Sequence, residues 1–506
     1  MSEAHSVSSK QSDEPLAHTT GHESSSSICN KEDELESVTK AVEQVTLTDD
    51  AESGDSGGYD SAKEFVDCSD QLLTNNEWLS KSNHVFILSE SGKPVYSRYG
   101  SEERLVPLYG LLQALASIVS DEGDVLHCVQ SSTHKIVFLV KSPLILAAVV
   151  DTDASVTQLL LQLVYVNSQV ESVSTRAALQ RHYSKRRNCD LRDLLGGTDR
   201  LISSLLDLLD TEPGLMLGAY HSLPLPTAVR NDVSQAIVNA CAKIKNVVFG
   251  VVLTGLQVVA IVRLKGVVLH PADLHLLCNL INATNSLRAS ENWMPICLPQ
   301  FDPDGYLYGH VSYLCEGCDA CLLLLTVDRE HFLKLFVAKQ KITERLRRQH
   351  VLEKLVTAYP PLTNQPASEG PPTPPQVPPT SAEAPYTTAD VGCPQLRHFV
   401  YKNRALAQYT APAYTAPYHT AESRLLPCRI YQRLQQRLHG DGKPLKMLYM
   451  AAADHAAIGW VTAEFELYAV LEPLATKQAA IVIVNKILKY VKQEEARLFI
   501  QSMPTF

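Results

Sequence analysis

The sequence predicts an α/β protein in which one unit of sheet and helices occurs three times, behind a disordered acidic N-terminal tail. Three observations lead to this prediction. After residue 83, strand-like and helix-like segments recur three times in one order, and Pro-rich residues 360–385 separate the second and third copies. Residues 1–80 contain 18 Asp and Glu but only four Lys. A length of 506 residues also favours several domains over one core.

The tail, residues 1–80, has a net charge of −14, whereas residues 81–506 contain 37 acidic and 41 basic residues, a net charge of +4. Its polar composition cannot bury enough apolar surface to offset the entropy of ordering, so we expect disorder. Such an arm can shield a basic surface. Ser53 and Ser56, which lie among acidic residues, are candidate regulatory phosphosites. A tail that only increases solubility is the alternative.

The first copy spans residues 83–212. The runs HVFILS and PVYSRY predict a β-hairpin around ESGK, and apolar residues spaced by three and four from Leu105 to Val119 predict an amphipathic helix. Three further strands are predicted from DVLHCVQS, HKIVFLV and LILAAVVD, followed by helices at about 155–176 and 190–210.

The second copy spans residues 213–359 and repeats this order from residue 245. KNVVFGVVLTG and LQVVAIVRLKG predict a hairpin, and Pro271 marks a helix start. Strands are predicted from MPICLPQF, LYGHVSYL and ACLLLLTVD, and a long helix over 329–358. The prolines of 360–385 favour an extended linker, since its P-x-x-P spacings lack the Lys or Arg that would orient an SH3 ligand.

The third copy spans residues 386–506. Its predicted elements, in order, are the strands RHFVYKN and QYTAPAY, the helix RIYQRLQQRL, the strands PLKMLYMA, IGWVTAEF and ELYAVLE, and a helix through IVIVNKILKYVKQ. The same order of elements in all three copies indicates a repeated domain.

The composition restricts the cellular setting. The first thirty residues do not resemble a signal peptide, and the longest apolar stretch, 136–150, is interrupted by Lys141 and Pro143 and is too short to cross a bilayer. Twelve cysteines in such a chain are expected to be reduced thiols in the cytosol. We expect no cofactor and no nucleic-acid partner.

Two motifs resemble catalytic loops but lack part of the chemistry. Gly92-Lys93 is followed by Pro94, and the early glycine of a phosphate loop is replaced by Ile87, so a hairpin tip is the better interpretation. The sequence GDSGG at 54–58 matches the nucleophile motif of chymotrypsin-type proteases. Only 53 residues precede it, which leaves no room for the His and Asp of that fold.

Two further motifs resemble metal sites. Cys315, Cys318 and Cys321 have iron–sulfur or zinc spacing, but Cys297 and His310, the possible fourth ligands, lack a characteristic spacing. Buried thiols in a hairpin are therefore favoured over a metal. His270, Asp273 and His275 fit the first turn of a helix that begins at Pro271 better than a metal trio. Neither a metal site nor a catalytic constellation is predicted.

One helix carries a basic stripe. At about 100° per residue, four cationic side chains fall within an arc of roughly 60°; they are Lys334, Lys341, Arg345 and Arg348. Another face holds Phe332, Leu335, Phe336, Ile342 and Leu346. Near an anionic membrane each Lys or Arg contributes about 1 kcal/mol of attraction. The stripe is thus a candidate for phosphoinositide membranes, with Lys185, Arg186 and Arg187 as a second patch; a solvated helix face is the alternative.

Several blocks in order resemble the SAND family of vacuolar fusion proteins. They are HVFILSESGKPVYSRYGSEE, KIVFLVKSPLILAAVV, VVLHPADLHLLCNLINA and EEARLFI, within residues 83–506. The resemblance implies three domains of the roadblock/longin superfamily, each a five-stranded, mainly antiparallel sheet flanked by helices. It also implies a heterodimer with a CCZ-type tri-longin subunit, to which animals add a third, regulatory subunit.

The resemblance further implies that this complex is a guanine nucleotide exchange factor for the late-endosomal GTPase Rab seven. It would act downstream of Rab five and phosphatidylinositol 3-phosphate, on endosomes that mature and fuse with lysosomes, vacuoles and autophagosomes. We therefore expect a cytosolic protein that is recruited peripherally to early and late endosomes and lysosomes. An exchange factor needs no nucleophile, because it works by binding the nucleotide-free GTPase more tightly.

By the same resemblance, the GTPase contacts the first helix of the first unit and the strand end before it. The candidate residues are Arg98, Tyr99, Ser101, Glu102, Glu103 and Arg104. The alternative for each is a structural role in a turn and helix start, with Ser101 as the N-cap and the acidic residues next to the helix dipole. A longin adaptor or tether without exchange activity is the second hypothesis, and a metal-dependent enzyme at the cysteine cluster is the third.

Overall fold

The structure, a computed structural model, describes most of the chain beyond the tail. The described residues are Trp78, Lys81, 83–102, 104–151, 154–187, 189–315, 318–359, 385–418, 420–440 and 444–506. Ser53, Ser56 and the protease-like motif lie outside them, as do Glu103 and most of the linker.

The first unit is a five-stranded antiparallel sheet with helices on both faces. Its strands are β1 Asn83–Ser89, β2 Pro94–Ser97, β3 Cys128–Gln130, β4 His134–Lys141 and β5 Leu144–Asp151, and its helices are α1 Val106–Asp121, α2 Val156–Ser174, α3 Arg176–Lys185 and α4 Thr198–Thr211. The strand order is β2-β1-β5-β4-β3. The predicted hairpin is confirmed, and Gly92 at its tip has a φ of +79°, which favours glycine.

The helix predicted over 190–210 begins only at Thr198, so that prediction was wrong at its start. Residues before it form turns, where the backbone N–H of Arg192 donates to the Asp190 carboxylate at 3.0 Å. An Asp side chain that bonds two residues ahead competes with helix formation.

The second unit repeats the strand order as β8-β7-β11-β10-β9. Its elements are α5 Pro213–Leu217, β6 Tyr220–Ser222, α6 Thr227–Cys241, β7 Val247–Thr254, β8 Gln257–Arg263, α7 Pro271–Ala283, β9 Asn292–Leu298, β10 Asp302–Tyr313, β11 Ala320–Thr326, α8 Phe332–Arg348 and α9 Val351–Ala358. The single helix predicted over 329–358 is corrected to a 3₁₀ turn and two helices, because His350 has a φ of +55° and interrupts the α-helical backbone.

The third unit has the same strand order again, β13-β12-β16-β15-β14. Its elements are β12 Leu396–Asn403, β13 Gln408–Thr410, α10 Ala421–Leu438, β14 Met447–Ala451, β15 Ala456–Val461, β16 Phe465–Leu471, α11 Lys477–Gln493 and α12 Glu495–Leu498. The shared order confirms the predicted threefold repeat.

The second and third units form one 11-stranded sheet. The short strand β6 pairs in parallel with β8 on one side and with β13 on the other. The last residues of the chain strengthen this joint, since the Arg263 N–H donates to the Pro504 carbonyl and the Phe506 N–H donates to the Arg263 carbonyl, both at 3.1 Å. The C-terminal segment therefore connects the third unit to the edge of β8.

The first unit packs on this joined sheet through α2 and α4. The Tyr165 hydroxyl and the His275 ring are 2.9 Å apart, and the Asn279 amide donates to Gln169 at 2.8 Å; all four side chains are buried. Helix α10 of the third unit packs against the end of α4, where the Cys428 thiol donates to the Thr211 carbonyl at 2.9 Å. Within the described residues, no helix has the length and apolar character of a membrane span.

Candidate GTPase-facing corner of the first unit

The predicted contact residues lie where β2 ends and α1 begins, and we call residues 98–107 the corner. Arg98 anchors it from inside, because its guanidinium donates to Asp210 at 2.8 Å and Asp207 at 3.2 Å, both on α4. Its side chain is only 6% exposed. Burial alone would lower the pKa of Arg98, but the two carboxylates outweigh it and the pKa is raised. Arg98 thus holds the corner in place and offers little surface to a partner.

Tyr99 is half-buried and fixed by an aromatic cluster. The Trp78 indole and the Ser97 hydroxyl donate to the Tyr99 carbonyl at 3.1 and 2.7 Å. Its ring meets His84 edge-on at 5.5 Å between centroids, and the Arg98 guanidinium lies 5.3 Å from the ring centroid. Burial lowers the pKa of His84 to about 4, so this ring is neutral at neutral pH. The two hydrogen bonds to its carbonyl hold the backbone at Tyr99 in place.

The remaining candidates form the outer turn. Ser101 and Arg104 are exposed, and the Arg104 N–H donates to the Ser101 carbonyl at 3.2 Å. Glu102 pairs with Arg192 at 3.1 Å, and burial raises the pKa of its carboxyl against the pull of that cation. Ser101 is not the N-cap, because α1 begins at Val106 with Leu105 in the cap position and no side-chain cap.

Helix α1 continues the corner with an exposed apolar face. Its inner face buries Leu108, Tyr109, Leu112 and Ala116 against the sheet. Its outer face contains Val106, Pro107, Gly110, Ala114 and Ile118, with Val106 and Ile118 exposed by 52% and 57%. No charged residue occurs between Leu105 and Ser120. A surface helix normally presents polar residues to solvent, so this face fits a binding surface.

The predicted basic stripe lies on α8, far along the chain from the corner. Lys334, Lys341 and Arg348 are exposed, whereas Arg345 is half-buried and Arg348 pairs with Glu344 of the same helix. The predicted inner face is correct, since Leu335, Ile342 and Leu346 are buried and Phe332 and Phe336 half-buried. Two exposed apolar side chains, Leu333 and Val337, lie on the outer side of the helix.

The second basic patch is at the end of α3. Lys185 and Arg186 line a cavity of about 540 Å³ with His182, Cys189, Asp190 and Asp193. Acidic and basic groups alternate around it, so the cavity has no clear preference for anions. Arg187 is exposed beside it.

The cysteine motif lies in the β10–β11 hairpin. Cys318 and Cys321 are buried and Cys315 is half-buried, while the residues between Cys315 and Cys318 lie outside the described ranges. In the part of the chain that the structure describes, no group of three His, Cys, Asp or Glu side chains is arranged to hold a metal. His270 is the N-cap of α7, where its ring accepts the Ala272 N–H at 3.2 Å, which confirms the helix-start interpretation.

The residues that support the corner are far from it in the sequence. Asp207 and Asp210 are more than one hundred positions from Arg98, and Arg192 is ninety from Glu102, so no local pattern links them. Trp78 could have been noticed as a large apolar residue at the end of a polar tail. Among the described residues of the corner, no nucleophile is paired with a base.

Comparison with known proteins gives three profile matches and a set of relatives. The profiles described as the first, second and third longin domain of FUZ, MON1 and HPS1 match residues 83–205, 245–344 and 395–495. Vacuolar fusion protein MON1 homolog A of Gallus gallus is 40% identical, over 86% of this chain and 75% of the relative. Protein SAND of Takifugu rubripes is 38% identical over 86% and 79%. Vacuolar fusion protein MON1 homolog B of Mus musculus is 36% identical over 97% and 86%.

Proposed function

The chain belongs to the family of MON1 vacuolar fusion proteins and SAND proteins, and on that premise we propose that it is a subunit of a guanine nucleotide exchange factor for Rab seven. Its three units are longin domains, as predicted. The proposed complex contains a CCZ-type tri-longin subunit, and Rab seven binds across the first longin domains of the two proteins. Rab five, a third regulatory subunit and phosphatidylinositol 3-phosphate membranes remain expected partners.

The observation that carries this proposal is the rigid corner beside the uncharged outer face of α1. The exposed Val106 and Ile118 offer apolar area to a second longin domain, and each fully buried side chain of this size contributes about 1.5–3 kcal/mol. Tyr99, Ser101 and Arg104 would then border the partner subunit and form part of a composite surface. Neither chain alone would present the whole surface, which accounts for a heterodimeric factor.

The proposed mechanism is differential binding. The corner holds the Tyr99 carbonyl by two hydrogen bonds, and the Arg104 N–H bonds to the Ser101 carbonyl, so little ordering entropy is lost there when the GTPase binds. A surface that fits the open nucleotide pocket better than the closed one shifts the GTPase toward nucleotide release. A thousandfold faster release requires about 4 kcal/mol of such preference.

Recruitment to endosomal and lysosomal membranes is part of the proposal. Lys334 and Lys341 lie beside the exposed Leu333 and Val337 on α8, and cationic groups next to apolar side chains favour anionic lipid surfaces. Binding of full-length protein to phosphatidylinositol 3-phosphate vesicles, compared with a Lys334→Glu/Lys341→Glu variant, measures this contribution.

The test is release of a fluorescent GDP analogue from Rab seven by the full chain together with the CCZ-type subunit. We expect acceleration by the complex and little by either subunit alone. In a Val106→Glu/Ile118→Lys variant we expect at least about tenfold weaker assembly with the partner, since two buried apolar contacts are lost. The charges are chosen to suit the helix dipole, so α1 should stay folded.

The matched control is Leu474→Lys, at an exposed apolar residue of the third domain. Assembly without faster GDP release would favour the second candidate function, a longin adaptor or tether. Unchanged assembly of the α1 variant would contradict the role given to its outer face.

A further inference from the structure

The two sheets end in four edge strands within the described residues, and three of these edges are protected against pairing. Strand β2 has four residues and begins with a proline, and β3 has only three residues. Strand β9 contains Pro295 in its middle and faces a register irregularity in β10. Short strands, prolines and bulges are the usual means by which proteins prevent edge-to-edge pairing.

The fourth edge, β14 of the third longin domain, lacks these protections. Its sequence, MLYMA, contains no proline and no charged residue, and it pairs with β15 in continuous register. The Val461 N–H donates to the Lys446 carbonyl and the Ala452 N–H donates to the His455 carbonyl, both at 2.8 Å. Because antiparallel ladders alternate, the N–H and C=O groups of Met447, Tyr449 and Ala451 point away from β15.

A row of arginines runs along the neighbouring helix α10. Arg429, Arg433 and Arg437 are spaced by four residues and exposed. Arg437 contacts the sulfur of Met450 at 3.7 Å, so the row ends at β14, and Lys446 precedes the first residue of the strand. Like charges four residues apart destabilise a helix by about 0.2–0.5 kcal/mol per pair. This arrangement therefore favours an anionic partner beside the strand.

From these two features we propose that β14 and the arginine row form a docking site for an extended acidic segment of a partner polypeptide, which adds to the 11-stranded sheet as a further strand. Backbone groups of Met447, Tyr449 and Ala451 pair with the segment, as in other cases of β-augmentation. Acidic side chains at its ends meet Arg433, Arg437 and Lys446. The site lies in the third domain and does not depend on the proposed exchange activity.

The test uses a fluorescein-labelled peptide, DETVTVTDE, with the full chain. A control peptide, DETPTPTDE, has the same charge but two prolines that remove backbone donors. We expect only the first peptide to bind, and we expect the amide protons of Met447, Tyr449 and Ala451 to gain protection from hydrogen exchange when it does. Equal binding of both peptides, no binding, or binding without that protection would overturn the proposal.

Two variants separate the parts of the site. Ala451→Pro removes an outward N–H without a ladder bond, and we expect about tenfold weaker peptide binding from one lost hydrogen bond. Ala451→Ser keeps the N–H and should bind as the wild type does. Arg433→Glu/Arg437→Glu should weaken binding by about tenfold or more and reduce its salt dependence, whereas Lys477→Glu on α11 should not.

Thermal unfolding of each variant checks that the fold is intact, and a folded Ala451→Pro protein that binds normally contradicts the proposal. The last measurement is binding of the full chain to phosphatidylserine vesicles. If the double arginine variant loses vesicle binding while peptide binding is unchanged, the row serves a membrane surface and the strand-addition site is wrong.

Discussion

The first longin domain and the other two share one strand order but differ in what covers the corner between the second strand and the first helix. In the first domain the edge of β2 is unpaired within the described residues, and the outer face of α1 is exposed. In the second, β6 pairs with β8, the C-terminal segment bonds to Arg263, and α7 has no exposed residue. Other parts of the chain therefore cover this corner in the second domain, whereas in the first domain the corner is exposed.

In the third domain, the corner between the second strand and the first helix is covered in a different way. β6 pairs with β13, and the residues after β13 fold inward, where Tyr414 stacks on His398 at 4.2 Å and Tyr418 is buried. Helix α10 packs on α4 of the first domain. In a repeated fold, the corner of the first domain is thus the most exposed among the described residues, and the difference arises from packing between the repeats.

The largest expected effect on stability comes from removing the contacts that hold the C-terminal segment against the second domain. Arg230 is buried and donates to the carbonyls of Leu223, Arg497 and Phe499, at 2.6, 3.1 and 2.9 Å. Arg230→Met removes the donor to the Leu223 and Phe499 carbonyls, while the Arg497 carbonyl still accepts the Leu225 N–H at 3.0 Å. Two unpaired buried acceptors cost about 1–3 kcal/mol each before relaxation, so we expect a loss of about 2–5 kcal/mol in the free energy of unfolding. Urea denaturation measures this loss, and Arg429→Met, at an exposed residue, is the control. A change below about 1 kcal/mol would show that Arg230 does not hold the C-terminal segment.

A smaller effect concerns pH at the open corner. Burial lowers the pKa of His84 to about 4, below its unfolded value of 6.5. The neutral ring therefore contributes stability above pH 6.5 that is lost as the pH falls toward 4. This one group should lower the free energy of unfolding by about 2 kcal/mol between pH 7 and pH 5. His84→Asn should reduce that pH dependence in thermal melts, and the exposed His134→Asn should not; equal curves for all three proteins would contradict the burial of His84.

The smallest effect on stability is expected at the outer turn. Arg104 is exposed, so Arg104→Ala should change the free energy of unfolding by no more than about 0.5 kcal/mol. GDP release by the assembled complex should nevertheless slow several-fold if Arg104 faces the GTPase. Arg329→Ala, at an exposed residue of the second domain, is the matched control. Unchanged GDP release by Arg104→Ala would exclude this residue from the contact.

Arg98→Met, in contrast, should lower the stability of the fold, because Asp207 and Asp210 lose their buried cation.

Local patterns in the sequence were sufficient to predict the strands and the repeat. Buried runs such as HVFILS and LILAAVVD and the turn at Gly92 depend on neighbouring residues only. Helix α6 escaped prediction because Asn, Asp, Ser and Gln interrupt its apolar positions. The three-residue β6 is too short to show a period, although it joins two domains.

The location of the candidate site rests on the family resemblance, and its construction could not be predicted from the sequence. The family resemblance pointed to residues 98–104, whereas the anchoring of Arg98 depends on carboxylates of a helix that only the folded chain brings near. The same holds for the exposed face of α1. Its periodicity predicted which side faces the sheet, but only packing shows that the opposite side stays exposed while α7 has no exposed residue.

The most direct test of this comparison is hydrogen exchange on the assembled complex before and after nucleotide-free Rab seven is added. The account predicts new protection at residues 98–120 of the first domain and none at the corresponding corners, residues 263–271 and 410–421. Protection at either of those corners, with none at 98–120, would contradict it.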